Sequence, residues 1–443
     1  LNRGAYSRAN QRGPKAHGFR RNNKNLDLNR DFIKCDSKNA QTFNQIFNYW
    51  QPDVFIDNHT SNGADYQYTL TLIATQHNKL NPVLSQYLRN DLLPDLFKEM
   101  KKRNWEMTPY VYARNTPDEG IAAFLDLPRY SSGYAALHNT ISFMPEAHML
   151  KPFSSRVRSV YHFMDVMIQK MHKDARRIQE SREKAIKATA AQKTFDLNWT
   201  LDFDRSDKIL FKGYEARHKP SEITGQDRLY YDREAPYEKE IPYYNYYTST
   251  LNVEAPVAYI FPKAYLEVIE RMKWNNVKIR ELSEDVELEL DFYYIRDFKS
   301  SSNPYEGHYL HREVEVEVKT MKRQFYKGDA VVYVNQPSNR YIVETLEPQA
   351  PDSYFAWNFF DGILMQKEYF SSYVFEDLAL EILKDNPDLK SKLEVRKEED
   401  EDFAKSARAQ LDFIYKNSLY YEPTHNLYPV GRMTKALDLP LKE

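Results

Sequence analysis

A single cysteine, Cys35, occurs among the 443 residues. That scarcity excludes an intramolecular disulfide framework and a cysteine-based structural zinc site, and it leaves the redox compartment open. Neither charge is in excess: 62 Lys and Arg stand against 64 Asp and Glu, for a formal net charge of −2. No global attraction to nucleic acid or to an anionic membrane follows from that balance, so any such partner would need a local patch. No run of about eighteen apolar residues is present to span a membrane, and no apolar signal segment opens the chain. An initiating methionine is also missing. The chain opens at Leu1 in a stretch rich in Asn, Arg and Gly that extends to Arg30. A removed upstream segment is expected, with any targeting signal on it and a periplasmic or secreted location for the parent protein.

The chain is long enough, and at 42% hydrophobic residues apolar enough, for at least two domains that each bury a core. Val54-Phe55-Ile56, bounded by Pro52 and Asn58, reads as a buried parallel-type strand that leaves Asp57 and His59 at its end. Tyr68 to Thr75 is a second strand, and Ile141 to Met144 a third that leads into Pro145-Glu146. Val83 to Trp105 has helical spacing, which Pro94 divides. Ser154 to Gln192 is a long amphipathic helix whose apolar residues Val157, Val160, Tyr161, Met164, Met167, Ile168 and Met171 recur at three and four. Strands alternating with helices predict an α/β domain over residues 1–192, with Ala188 to Trp199 as a linker.

Residues 193–443 read as a strand-rich, mixed α/β region. Val314, Val316 and Val318 alternate with glutamates as in a half-exposed strand. Ala330 to Val334 and Tyr341 to Val343 are further strand candidates. Val257 to Phe261, Pro262 to Trp274 and Val277 to Leu282 form a strand, helix, strand unit, compatible with a degenerate amidotransferase-like element or with part of an accessory β-rich domain. The region has no cysteine nucleophile, which excludes glutamine amidotransferase chemistry. The tyrosines from Tyr230 to Tyr247 and the pair His308 and His311 read as packing and loop residues, and Glu398 to Asp402 as a solvated stretch.

Three short segments concentrate polar groups at strand ends, where open α/β sheets place ligand sites. In the second, Asp57 and His59 point to one side of a strand, so the carboxylate can orient the imidazole as a metal-bound histidine requires. In the first, Asn29 and Arg30 set an amide beside a guanidinium whose fork matches a carboxylate. In the third, Glu146 follows an apolar strand, and burial there would raise its pKa toward a value suited to a general base. Taken singly, each also has an ordinary structural explanation.

Their order is more specific. Asn25-Leu26-Asp27-Leu28-Asn29-Arg30-Asp31-Phe32 resembles the Asp-x-Asn-Arg-Asn/Asp-Phe signature of the zinc carboxypeptidases. Phe19-Arg20-Arg21-Asn22 resembles that family's Trp-Arg-Lys-Asn segment. Asp57-Asn58-His59-Thr60 resembles the segment of its last zinc-ligating histidine. Arg129 to Tyr134 with Phe143-Met144-Pro145-Glu146 resembles the stretch supplying a mobile tyrosine and the catalytic glutamate. The resemblance covers roughly residues 1 to 170. It implies a mixed, mostly parallel sheet flanked by helices, incomplete at its N-terminus, and hydrolysis of C-terminal peptide bonds by a zinc-activated water. By the same resemblance His59 is a zinc ligand, Glu146 the base, and Arg20 the oxyanion stabiliser. Asn29 and Arg30 bind the free C-terminal carboxylate of a peptide substrate, and Tyr134 closes over it. Tyr134 is preferred to Tyr130 because its spacing to Glu146 suits compact family members.

Two departures stand out. No His-x-x-Glu motif precedes Asn29, so two zinc ligands are expected upstream of residue 1, and the chain as it stands is expected to be inactive, because one imidazole does not hold catalytic zinc. His148, two residues after Glu146, is placed to tune the base or contact substrate if it is not structural. Two alternatives stay open: a zinc-dependent deacylase of N-acyl amino acids or cell-wall peptides, and a non-catalytic module that binds peptide carboxylates.

Overall fold

A computed structural model describes residues 9–14, 16–18 and 20–442. Phe19, of the resembling segment Phe19-Arg20-Arg21-Asn22, lies outside the described residues. The chain is mixed α/β, with 35% helix and 29% strand.

The first sheet has five strands, three from the runs expected as strands and two, His59–Ser61 and Met107–Pro109, that were not expected. β1 (Val54–Ile56) and β2 (His59–Ser61) both pair in parallel with β6 (Ile141–His148). β3 (Leu70–Ala74) runs antiparallel to β6 and parallel to β4 (Met107–Pro109). Parallel pairings therefore predominate. β6 is buried along its whole length, yet carries Pro145. Its partner on one side changes from β1 to β2 across Asp57-Asn58, and Pro145 falls opposite that break, where a strand tolerates a residue with no N–H.

Helices cover both faces. On one, Val54 and Ile56 join Leu70, Leu72, Ile141 and Phe143 in a core with α2 (Pro82–Tyr87), α3 (Leu93–Lys102) and α5 (Phe153–Ala191). On the other, Phe55 packs with Phe43 and Phe47 of α1 (Lys38–Trp50) and with Tyr134 of α4 (Ser131–Leu137). The division expected at Pro94 is a single π-helical turn, Leu88–Leu92, between α2 and α3. Proline cannot donate to the preceding turn, and a wider turn absorbs the missing bond.

The expected linker does not exist as one. α5 continues to Ala191 and β7 (Thr194–Leu201) begins three residues later, pairing with β10 (Tyr247–Glu254). The tyrosine-rich stretch forms a long hairpin of β8 (Asp207–Pro220) and β9 (Asp227–Tyr244), and β9 also pairs with β5 (Ile121–Ala122). Packing crosses residue 192 elsewhere too: Ile33 and Leu137 belong to the large core of the second half, and Asn275 bonds to Asn44 and Tyr134.

The strand, helix, strand unit appears as β11 (Ala258–Phe261), α6 (Leu266–Trp274) and β12 (Arg280–Glu281). Pro262 lies in a turn before α6 and not in its first turn, since Tyr265 N–H bonds the Pro262 carbonyl. β11 and β12 flank β15 (Ala330–Tyr333) in a six-stranded sheet completed by β13 (Val286–Ser300), β14 (His311–Phe325) and β16 (Gly431–Met433), with every pairing antiparallel. Tyr341 to Val343, expected as a strand, is helical within α7 (Asn339–Leu346). The β-branched Ile342 and Val343 prompted the strand expectation, while the helical signal, Arg340 and Glu344 paired one turn apart, lies outside those three residues. The acidic run lies at the junction of two helices in a group with its own core, α8 (Ser372–Asp385), α9 (Pro387–Glu399), α10 (Glu401–Lys405) and α11 (Ala407–Lys416). Among the described residues no helix is long and apolar enough to cross a membrane.

Candidate active site

The C-terminal ends of β1 and β6 carry two of the polar segments to one place, and the third, Asn29-Arg30, reaches it from the helical turn Leu28–Arg30 and not from a strand end. A cavity of about 1080 Å³ opens there, lined by Arg20, Asn29, Arg30, His59, Tyr130 and Glu146 together with Asn58, Thr60 and an apolar group of Ile73, Tyr110, Phe124 and Met144. Residues more than one hundred positions apart in sequence thus share one wall.

His59 and Glu146 are cross-strand partners in the β2–β6 ladder. The imidazole Nε2 bonds the Asp57 carboxylate at 2.8 Å, and Nδ1 faces Glu146 Oε1 at 3.8 Å. Asp57 therefore orients the ring and leaves Nδ1 toward the cavity. Burial pulls the His59 pKa down, but the hydrogen bond that its ring donates to Asp57 and the charges of Asp57 and Glu146 outweigh it and raise it above the ordinary value. Glu146 is 8% exposed, and its Oε2 has no hydrogen-bond partner. Burial, helped by Asp57 and opposed by His59 and Arg20, pushes its carboxyl up to about 7.

The Arg30 guanidinium lies 4.5 Å from the centre of the Tyr130 ring and donates to the Asn29 carbonyl at 2.7 Å. Among the described residues it forms no ion pair. Asn29 Oδ1 accepts from the Ser131 N–H, which fixes the amide and leaves its Nδ2 donors available. The short helical turn Leu28–Arg30 that presents both side chains is capped by Asp27, whose carboxylate accepts from Asn29 N–H.

Arg20 lines the same cavity but is committed differently. Its Nε bonds Asp27 at 2.7 Å, and its side chain is 65% exposed. That hydrogen bond raises its pKa further, against the pull of desolvation.

Tyr134 is a correction. It is fully buried in α4, its hydroxyl donating to Asn275 at 2.6 Å and accepting from Asn48 at 2.9 Å, with its ring among Phe32, Phe43 and Phe47. Of Tyr130 and Tyr134, it is Tyr130 that lines the cavity; it precedes the helix in extended conformation and so projects outward. Spacing to Glu146 carried no information about which tyrosine faces in. Tyr110 and Phe124 were not singled out at all: they sit in the mostly irregular stretch after β4 whose sequence has no periodic signal. His148 is structural, with one ring nitrogen at 2.8 Å from the Ala64 carbonyl and the other accepting from Leu150 N–H. His308 and His311 separate to different carboxylates, Asp36 and Asp361.

No family model, curated protein or solved structure matches the chain. Function therefore rests on the chemistry of the cavity. Among the described residues no group of three His, Cys, Asp or Glu side chains is gathered closely enough to hold a metal ion. His59 has the oriented imidazole of a zinc ligand, but three protein ligands are the usual minimum for catalytic zinc. The residues present do not make a zinc site by themselves.

Proposed function

We propose that this chain is the substrate-holding part of a zinc carboxypeptidase-type hydrolase, which cleaves the C-terminal peptide bond of a peptide with a free carboxylate. The observation that carries the reading is the convergence of Asn29, Arg30, His59 and Glu146 on one cavity, with a guanidinium that forms no ion pair among the described residues at one side and a buried carboxyl whose Oε2 has no partner at the other.

In this reading Arg30 and the Asn29 amide hold the terminal carboxylate by charge-assisted bonds, with Tyr130 keeping the guanidinium flat. Ile73, Phe124 and Met144 exclude water from the adjoining wall. Glu146 takes a proton at Oε2 from the attacking water and returns it to the leaving amine, a task matched by a carboxyl that titrates near neutrality. Zinc would supply Lewis-acid activation of water and carbonyl. His59 would be one ligand, with two more contributed from outside the described residues.

The absence of a three-ligand group among the described residues favours one other reading, a module that binds peptide carboxylates without cleaving them. Assaying the longest natural polypeptide for amino-acid release from peptides, with added zinc and with a chelator, separates the two. Release that the chelator abolishes supports the hydrolase. Binding without release, or release indifferent to chelation, overturns it.

A further inference from the structure

The turn that carries Asn29 and Arg30 is held from the far half of the chain. Asp27 caps Leu28–Arg30 with one carboxylate oxygen, accepting from the Asn29 N–H, and accepts from Arg20 with the other. The place of that cap is set in turn by Glu306, 279 residues away, whose carboxylate accepts from the Asp27 N–H at 2.7 Å. His308, two residues on, makes a second tie. Its Nε2 stands 2.7 Å from Asp36 Oδ2, and the Asp36 N–H donates at 2.9 Å to Asp31, the neighbour of Arg30. The segment bearing the amide and the guanidinium is thus pinned on both sides by one short turn.

That turn, Tyr305 to His308, lies between β13 and β14 and closes on itself by two backbone bonds, Tyr305 N–H to the His308 carbonyl at 2.7 Å and the reverse at 3.1 Å. Both central residues have positive φ, 52° at Glu306 and 89° at Gly307. Turns of this kind favour Asn, Asp or Gly at the first central position, because left-handed backbone crowds a longer side chain. A glutamate held there is a local cost, and such costs persist where surrounding contacts impose them, above all at functional sites. Relative to Asp or Asn, Glu306 has one more methylene, and that methylene carries its carboxylate to Asp27.

The same assembly reaches the ring against which Arg30 lies. Trp357 is fully buried, with its ring centre 6.1 Å from that of Tyr305 and 5.5 Å from that of His308, and it donates from Nε1 to Asp352 at 2.9 Å. Asp352 also accepts from the Arg129 N–H at 2.9 Å and pairs with the Arg129 guanidinium, which fixes the residue before Tyr130. Arg30 on its turn and Tyr130 beside it therefore both take their position from residues beyond 300.

We propose that Glu306, on the turn Tyr305–His308, is the positioning residue of the carboxylate clamp: it holds Asp27 so that Asn29 and Arg30 meet a terminal carboxylate together. No residue of the turn lines the cavity, so the turn acts through Asp27 and not on the peptide. The strand-rich second half thereby takes part in choosing the substrate. Without the tie to Asp27, amide and guanidinium move independently, and a carboxylate is no longer distinguished from a carboxamide. The inference rests on the carboxylate-binding part of the proposed function and involves no metal.

Two variants of the full chain separate positioning from packing. Glu306→Asn suits the turn better than the natural residue but gives up the reach to Asp27, whereas Glu306→Gln keeps an acceptor oxygen at full length. The probe is one N-acetylated tripeptide, titrated calorimetrically as free acid and as amide. The unmodified chain is expected to prefer the acid about tenfold or more, Glu306→Asn to fall to about threefold or less at an unchanged melting temperature, and Glu306→Gln to keep the preference. Hydrogen exchange of the Asp27 and Asn29 amides is expected to quicken about tenfold or more in Glu306→Asn alone. A Glu306→Asn chain that keeps the acid preference, or leaves those amides as well protected, overturns the positioning role. Loss of the preference in Glu306→Gln as well, or a lowered melting temperature accompanying the loss, overturns it too. An unmodified chain indifferent between acid and amide overturns the carboxylate reading itself and takes the proposal with it; every other outcome leaves that reading standing.

Discussion

His59 and Glu146 stand opposite each other on neighbouring parallel strands, with Nδ1 and Oε1 3.8 Å apart. The pairing keeps a carboxyl in a buried place where only one edge of an imidazole faces it, and its protonation should be visible in stability. Burial lifts Glu146 from 4.5 to about 7. Below about pH 4.5 the folded and unfolded chains are both protonated there and the group contributes nothing. As pH rises from 4.5 to 7 the unfolded chain ionises first, so the folded state loses stability. In the metal-free chain Glu146→Gln is expected to exceed wild type by about 1–3 kcal/mol above pH 7 and to match it near pH 4. Urea midpoints at the two pH values check this, and a constant difference between them contradicts the assignment.

The two tyrosines of the α4 region should separate cleanly. Tyr134→Phe removes a buried hydroxyl shared with Asn48 and Asn275 and is expected to cost about 1–3 kcal/mol of stability without altering peptide binding. Tyr130→Ala frees the Arg30 guanidinium from its ring and is expected to weaken peptide binding with little change in stability. Denaturant melts beside calorimetric titration decide it, and a reversed pattern would return the cavity role to Tyr134.

Acid should act through His138. Burial, reinforced by Arg182, pulls its pKa down to about 3. The neutral ring is compatible with folding above the ordinary value of 6.5, and stability is lost as pH falls from there toward 3, by about 2 kcal/mol at pH 5. His138→Phe, which keeps the aromatic packing on Phe47, Tyr134 and Tyr341, is expected to show a shallower decline. Parallel slopes for variant and wild type would sink the attribution.

Zinc added to the chain starting at Leu1 is expected to leave its melting temperature unchanged, because a ligand stabilises only in proportion to its binding to the folded state and a single imidazole binds weakly. Differential scanning fluorimetry with and without zinc checks this, and a shift removed by His59→Ala would contradict the need for ligands from upstream.

Much of the fold was legible in the sequence where a segment has one clear period and one clear environment. Val54–Ile56, Ile141 onward and the long helix α5 were readable as elements from apolar runs and three-to-four spacing, although Val54–Ile56 is half-buried where burial was expected and Val157, Tyr161 and Ile168 of α5 are exposed. The roles of Asn29, Arg30, His59 and Glu146 were expected from motif order, and the fold brings those residues together. Tyr341 to Val343 was misread because its β-branched residues mimic a strand, while the helical signal, the Arg340 and Glu344 pair one turn apart, lies on either side of the three residues. Tyr134 was misplaced for a related reason. One helical turn separates it from Tyr130, and only the packing of α4 against α1 determines which ring is inside. The supposed linker after α5 failed because composition changes there without any break in packing.

Arg30 is the residue on which the proposed function turns, since it lines the cavity and forms no ion pair among the described residues. The direct measurement is calorimetric binding of one peptide, with a free or an amidated C-terminus, to the chain and to Arg30→Gln. The free acid is expected to bind about tenfold or more tighter than the amide, as for a charge-assisted pair worth roughly 1.5–3 kcal/mol, and Arg30→Gln to abolish the difference. Equal binding of acid and amide by the unmodified chain would contradict a carboxylate clamp at Arg30.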